Sequence, residues 1–185
     1  PLCYGGGITT AEQASRIIDL GVDKVAISAA AIANPGLLTV IANAIGRQSV
    51  VAVLDVRKKT GLLTQGYEVC THNSKTIHKI DPVTLARRLQ DAGAGEIVLN
   101  SVDRDGEMKG YDLALAQQVF RALRVPMTIL GGAGSLDDIG ALIGTCGVVG
   151  AAVGSLFVFK GKYRAVLINY PTTAQKDEIF RSSLL

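Results

Sequence analysis

Tyr4-Gly5-Gly6-Gly7-Ile8 is echoed near the other end of the chain by Leu130-Gly131-Gly132-Ala133-Gly134. The offset of 126 positions that carries Gly5 onto Gly131 also carries Ile17 onto Ile143, Gly21 onto Gly147, Val22 onto Val148 and Ala26 onto Ala152 without a gap. A glycine turn after a short strand, an amphipathic helix and a second buried strand make one βα step of a parallel fold. Its recurrence at fixed spacing marks a duplicated unit. Asp55 ends another strand, and the same offset places its counterpart ahead of Pro1. The expectation is a piece of a longer protein, short of about 75 N-terminal residues on the usual size of a βα unit.

Outward from this repeat, runs rich in β-branched residues alternate with helical patterns, the mark of parallel βα units. The strand ends fall at Leu2 to Tyr4, Lys24 to Ile27, Val50 to Leu54, Glu96 to Leu99, Met127 to Leu130 and Gly150 to Val153. From Thr10 to Leu20, Ala11, Ala14, Ile17 and Ile18 share one helical face, with Thr9 or Thr10 as cap. A second helix runs from Pro82 to Ala92, with Asp81 as N-cap, Pro82 at the first position and Gly93 as the stop. The polar stretch from Arg57 to Ile80 is too long for an ordinary turn. Its alternating Tyr67-Glu68-Val69-Cys70-Thr71 predicts a small hairpin over the mouth of the sheet.

The runs are apolar on both sides of each strand, as when helices cover one sheet face and packed side chains fill the other. The fold class is α/β: a phosphate-binding (β/α)8 barrel of which residues 1–185, as a single partial TIM-barrel domain, hold six of the eight βα units. Six strands cannot close an eight-stranded barrel, so either another segment completes it or the open sheet edges self-associate.

With 48% apolar and 19% charged residues the composition suits one soluble domain. No apolar run reaches the roughly 18 residues that span a bilayer, and no basic leader opens the chain, so the expected setting is cytoplasmic with no membrane partner. A dispersed net charge of +3 suits an anionic small molecule and argues against nucleic acid. Cys3, Cys70 and Cys146 are far apart and unpaired in pattern, which reads as buried or half-buried thiols.

In parallel α/β folds ligands sit at the C-terminal ends of the strands. Gly5, Gly6, Gly7 and Ser28 fall there in the first unit, and Gly131, Gly132, Ala133, Gly154 and Ser155 in its repeat. Glycine lets backbone N–H groups approach phosphate oxygens, so two cradles imply a substrate with two phosphates; plain tight turns are the simpler reading of either one alone. Neither tract is a dinucleotide fingerprint, and no cofactor is expected. Asp55, after Val50-Val51-Ala52-Val53-Leu54, is the catalytic candidate, a carboxylate able to move protons; a cap or an ion partner for Arg57 or Lys58 is its structural alternative. Asp103-Arg104-Asp105-Gly106 lies at the rim but lacks the remaining ligands of a calcium loop, and a sugar or phosphate contact is expected there instead. His72 and His78 do not have helical zinc spacing and read as solvated or loop-packing residues, so no metal is expected. Lys24 and Glu96 both begin strands, at the opposite end, where a stabilising ion pair is the plain interpretation.

Taken together, these residues resemble the cyclase subunit of imidazole glycerol phosphate synthase, a half-barrel-duplicated TIM barrel. The resemblance runs from Pro1-Leu2-Cys3-Tyr4-Gly5-Gly6-Gly7-Ile8 through Asp103-Arg104-Asp105-Gly106 and Gly110-Tyr111-Asp112-Leu113 to Gly131-Gly132-Ala133-Gly134 and Ser155-Leu156-Phe157. The tail from Gly154 to Pro171 is similar to a paralogous branch associated with amidation of surface-polysaccharide (lipopolysaccharide) sugars rather than with histidine biosynthesis. The resemblance implies a lyase that uses ammonia from a glutaminase subunit, docked on the barrel bottom, to cleave and cyclise a bisphosphorylated phosphoribulosyl-formimino carboxamide nucleotide. By position it makes Asp55 one of two catalytic aspartates. Gly7, Ser28 and Ala29 match one phosphate site, and Asp105, Gly106, Gly132, Gly154 and Ser155 the other. Lys24 and Glu96 match two of four charged residues around the ammonia entrance.

Departures accompany it. The second catalytic aspartate belongs to a strand this sequence does not contain, so the chain alone is expected to be inactive. Asn100 and Leu130 occupy positions where the resemblance implies small hydroxyl residues near the substrate, and Ser28 one where it implies an amide. A phosphoribosyl isomerase on the same barrel and an inactive phosphosugar-binding fragment are the alternatives.

Overall fold

In the computed structural model, which describes residues 1–60, 65–161 and 163–183, the two copies of the glycine turn belong to one sheet, the first after an edge strand and the second after the strand next to the other edge. Strands β1 (Cys3–Gly5), β2 (Lys24–Ile27) and β3 (Val50–Lys58) are followed by β4 (Tyr67–Thr71), β5 (Thr76–His78), β6 (Glu96–Ser101), β7 (Met127–Leu130) and β8 (Gly150–Ala151). Six of them pair in parallel in the order β1-β2-β3-β6-β7-β8, the arrangement expected of consecutive βα units. The crossover helices are α1 (Ala11–Asp19), α2 (Ala29–Ala33), α3 (Gly36–Ile45), α4 (Pro82–Asp91), α5 (Leu113–Phe120) and α6 (Leu136–Cys146).

Local chemistry sets the helix starts. Thr10 accepts from the Gln13 N–H while the Gln13 side chain accepts from the Thr10 N–H, a reciprocal cap worth about 1 kcal/mol. Asp81 caps α4 through the Thr84 N–H at 2.8 Å, with Pro82 in the first turn. At the far end Gly93 turns the chain with φ +121, where a side chain would be strained.

Pleating divides the side chains into two sets. Val25, Ile27, Val50, Ala52, Leu54, Val56, Ile97, Leu99, Met127 and Ile129 point to the helices and form the core with Leu38, Ile41, Leu85, Leu89, Leu115 and Leu142. Truncating one of the larger of these to alanine costs about 2–5 kcal/mol. On the opposite face Lys24, Ala26, Val53, Asp55, Glu96, Val98, Asn100, Thr128 and Leu130 are half-buried. This differs from the expected double-sided packing: among the described residues nothing lies across the inner face to fill it. For the same reason the whole of β1 is exposed, and Cys3 with it, contrary to the expectation of a buried thiol.

The predicted hairpin is present and does more than cover the mouth. β4 pairs antiparallel with β3, Asp55 facing Cys70 and Lys58 facing Tyr67, and β5 pairs with β4. This pairing carries β3 on to Lys58, four residues past the expected end at Leu54. β6 likewise runs to Ser101, whereas β8 stops at Ala151. Residues 61–64 of the predicted loop lie outside the described residues, as does residue 162 of the tail. The tail forms α7 (Ser155–Val158), a small antiparallel pair of β9 (Phe159–Lys160) and β10 (Ala165–Val166), and α8 (Thr173–Ser183), which packs on α6. Among the described residues no helix is long and apolar enough to cross a membrane.

Candidate active site

Gly5, Gly6 and Gly7 leave β1 at the edge of a cavity of about 630 Å³. Ser28 and Ala29 wall it from the end of β2, Asp55 from β3, and His72 and Asn73 from the turn between β4 and β5. Gly6 and Gly7 hold φ of +119 and +71, a left-handed backbone in which a side chain would be strained. The α1 cap covers the N–H groups of Thr9, Thr10 and Gln13, whereas Ser28 precedes α2 with no side-chain hydrogen bond. The start of α2 therefore keeps backbone donors that its own cap residue does not cover.

The repeat builds the same device at β7 and β8. Asp105, Gly106, Gly131, Gly132, Ala133, Gly154 and Ser155 wall a second cavity of about 90 Å³. Ser135 and Asp138 close α6 by a reciprocal cap, and Gly154 starts α7 with no side-chain bond. Ser28 and Gly154, related by the offset of the repeat, have nearly the same backbone angles, φ −112 and ψ −93 against φ −106 and ψ −83.

Asp55 sits within β3 on the inner face, and the Asn100 amide nitrogen donates to its Oδ1 at 2.9 Å. A carboxylate accepts only, so Asn100 must turn its nitrogen to Asp55, which leaves Asn100 Oδ1 buried without a partner among the described residues. The cations named as alternative partners are engaged elsewhere: Arg57 Nε meets Glu68 at 2.9 Å, and Lys58 Nζ lies 3.9 Å from Asp112. Asp112 also accepts from the Tyr67 hydroxyl at 2.9 Å, and burial, then Asp112 itself, pushes the Tyr67 phenol up to about 12. Asp103 accepts from the Lys58 N–H at 2.6 Å, so of the two rim carboxylates Asp105 is the one that faces a cavity.

At the other end of the strands Lys24 Nζ donates to Glu96 Oε2 at 2.6 Å, and Thr128 Oγ1 donates to Glu96 Oε1 at 2.7 Å. The pair is thus joined across three strands to β7, with Gly150 on β8 leaving room for the Thr128 hydroxyl. Among the described residues no three His, Cys, Asp or Glu side chains converge as a metal site would require.

The structure therefore brings Gly7, Ser28, Ala29 and Asp55 into one cavity and Asp105, Gly106, Gly132, Gly154 and Ser155 into another, with Asn100 bonded to Asp55 and Lys24 bonded to Glu96 far from both. Sequence reasoning took His72 for a solvated or loop-packing residue and did not consider Asn73. Their signal was the hairpin itself, because a tight turn after Thr71 has to hang over the strand ends it covers.

A family model described as histidine biosynthesis protein matches residues 1–164. A candidate imidazole glycerol phosphate synthase subunit, hisF3, of Vibrio vulnificus (strain YJ016) is 51% identical over 178 residues, covering 96% of this chain and 68% of the relative. A candidate subunit of the same synthase from Leptospira interrogans is 50% identical over 180 residues, covering 97% and 70%. The imidazole glycerol phosphate synthase subunit HisF of Myxococcus xanthus (strain DK1622) is 42% identical over 156 residues, covering 84% and 60%. The chain thus belongs to the histidine biosynthesis protein family of TIM barrels, on the paralogue branch of the imidazole glycerol phosphate synthase cyclase subunit.

Proposed function

We propose that this protein is a cyclase-type lyase that holds a bisphosphorylated carboxamide nucleotide across the sheet and uses ammonia to cleave it and close an imidazole ring. The observation that carries this reading is the pair of matched turns, both with uncapped helix starts, at the same end of one sheet as Asp55. Each turn offers backbone N–H donors to a dianionic end group, and spacing them on opposite edges stretches the substrate past the carboxylate. Asp55 then takes a proton from the attacking nitrogen and returns one to the leaving group, work worth about 10²- to 10⁴-fold in rate. Asn100 holds one carboxylate oxygen so that the other faces the reacting atoms.

Ammonia enters from the opposite end, where the Lys24–Glu96 pair sits, and a glutaminase subunit docked there supplies it. The tail from Gly154 to Pro171 favours sugar amidation in surface-polysaccharide synthesis over histidine synthesis, in the cytoplasm in either case. Asp55 is the single carboxylate among the described residues walling the larger cavity, so the 185 residues by themselves are expected to bind the nucleotide without turning it over.

Calorimetry and turnover test the reading together. Asp55→Asn is expected to leave binding of the bisphosphorylated nucleotide unchanged while ammonium-driven turnover by the complete gene product falls at least about 100-fold. Absence of binding, or turnover that survives the substitution, would overturn it.

A further inference from the structure

The turn over the larger cavity is under backbone strain. His72, Asn73 and Ser74 hold φ of +55, +55 and +63 in succession; Asn and His enter this left-handed region singly, but a run of three non-glycine residues is uncommon. Strain of this kind persists where surrounding contacts enforce it. Here the Cys70 thiol lies 3.5 Å from both the Asp55 carbonyl oxygen and the Ser74 hydroxyl, which pins the turn to β3. The result is to set His72 in the cavity wall with Asp55, and to bring its Nδ1 within 3.1 Å of Thr71 Oγ1. The same hydroxyl lies 2.9 Å from Nε2 of His78. Thr71 is 2% exposed, so the middle link is sealed from water. His78 reaches the other side of the hairpin, where with Lys59, Glu68, Lys79 and Asp81 it walls a polar pocket of about 380 Å³.

We infer that His72, Thr71 and His78 form a proton relay that links the reaction cavity to the outer pocket, with His72 as a second acid–base group beside Asp55. The inference rests on the functional reading of that cavity. A hydroxyl has one proton, so Thr71 donates to one ring and accepts from the other, and the two imidazoles are locked into complementary tautomers. In one setting His72 Nδ1–H donates to Thr71, the Thr71 O–H donates to His78 Nε2, and His72 Nε2 is a base. A substrate N–H or O–H bond breaks as its proton binds Nε2; the Nδ1 proton passes to Thr71 and the Thr71 proton to His78 Nε2. His78, now an imidazolium, releases its Nδ1 proton into the outer pocket. In the other setting both hydrogen bonds are reversed and His72 Nε2–H is an acid. The charged and titrating groups around the path are Asp55 on β3, Cys70, Glu68 and Tyr67 on β4, and the Lys59, Lys79 and Asp81 side chains about His78.

Nitrogen-15 spectra of the histidine rings in the complete gene product test the relay directly. At a pH where both rings are neutral, the wild-type protein is expected to show one ring protonated on the nitrogen facing Thr71 and the other bare there. Thr71→Val should abolish this pairing and lower kcat for ammonium-driven turnover about tenfold with little change in KM, and should flatten the pH profile. Thr71→Ser should restore all three. The same proton state at both facing nitrogens in the wild-type protein, or tautomers unmoved by Thr71→Val, would overturn the relay whatever the activity. Failure of the wild-type protein to turn over the nucleotide would instead overturn the functional reading, and the ring spectra would still decide the relay.

Discussion

The two glycine cradles descend from one sequence pattern yet meet opposite physical demands. At Gly6 and Gly7 an added Cβ would find nothing within 4 Å. At Gly132 it would overlap the Gly110 carbonyl oxygen, at Gly134 the Met108 carbonyl oxygen, and at Gly131 it would lie 2.6 Å from the Ser101 carbonyl oxygen. The difference comes from Ser101 and the strap at residues 102–112, which crosses the second cradle and has no counterpart over the first among the described residues. Gly110 N–H donates to the Gly132 carbonyl at 2.8 Å, Arg104 grips the Lys109 and Gly110 carbonyls, and the Tyr111 hydroxyl donates to Ala152 at 2.9 Å. Gly6 and Gly7 in the first cradle stand beside open space, while Gly131, Gly132 and Gly134 in the second make room for the protein's own backbone. Cavities of about 630 and 90 Å³ are the outcome.

Gly6 and Gly132 break this comparison most sharply, because they are offset partners with φ of +119 and +114 and so share the same intrinsic strain. Replacing either by alanine costs about 1–3 kcal/mol for the backbone conformation alone. Gly132→Ala adds a backbone overlap, and its total destabilisation is expected to exceed that of Gly6→Ala by about 2 kcal/mol or more. Chemical denaturation of the two variants measures it; equal losses would mean that the strap yields and the second cradle is as open as the first.

The strap is also sensitive to alkali. Burial, with a smaller effect of Asp138, pushes the Tyr111 phenol up to about 12, above its value in an unfolded chain. The folded form thus holds this proton more tightly than the unfolded form. The stability it contributes is whole below about pH 10 and is lost as the pH rises to about 12, a fall of about 2–3 kcal/mol. Tyr111→Phe should remove the Tyr111 share of this slope while costing about 1 kcal/mol at neutral pH for the missing hydrogen bond. Denaturation at pH 8, 10 and 12 would show an unchanged slope if the strap is not anchored by Tyr111.

Much of this was legible in the chain because its causes are local. The bounds of β2 and β7, the caps at Thr10 and Asp81, and the offset repeat follow from pleat period and side-chain capping within a few residues. The grouping of Asp55 with Gly7 and Ser28 followed from one rule, that parallel strands present their C-terminal ends together, and Ala29 joined them through the family resemblance alone. What local reasoning missed came from distant partners. β3 reaches Lys58 because β4 pairs with it, and Gly132 is tight because residue 110 returns to it. His72 enters the cavity wall because β5 and Cys70 fix the turn that carries it, which no spacing of histidines could reveal.

Ser28 and Gly154 give the comparison its smallest and most discriminating test. Both precede a short helix at matching backbone angles, neither makes a side-chain cap, and φ is negative at each, so glycine has no conformational advantage there. An added Cβ at Gly154 meets nothing within 4 Å, even though its cradle is the crowded one. Gly154→Ser and Ser28→Gly are therefore both expected to change stability by less than about 0.5 kcal/mol. Their effect on inorganic phosphate binding should differ in sign: a hydroxyl added at residue 154 gives the narrower cradle another donor, while its removal at residue 28 takes one from the wider cradle. Phosphate titrations of the two variants would sink the symmetry argument if Gly154→Ser unfolded the chain, since the strap would then extend its grip to a position the backbone shows to be free.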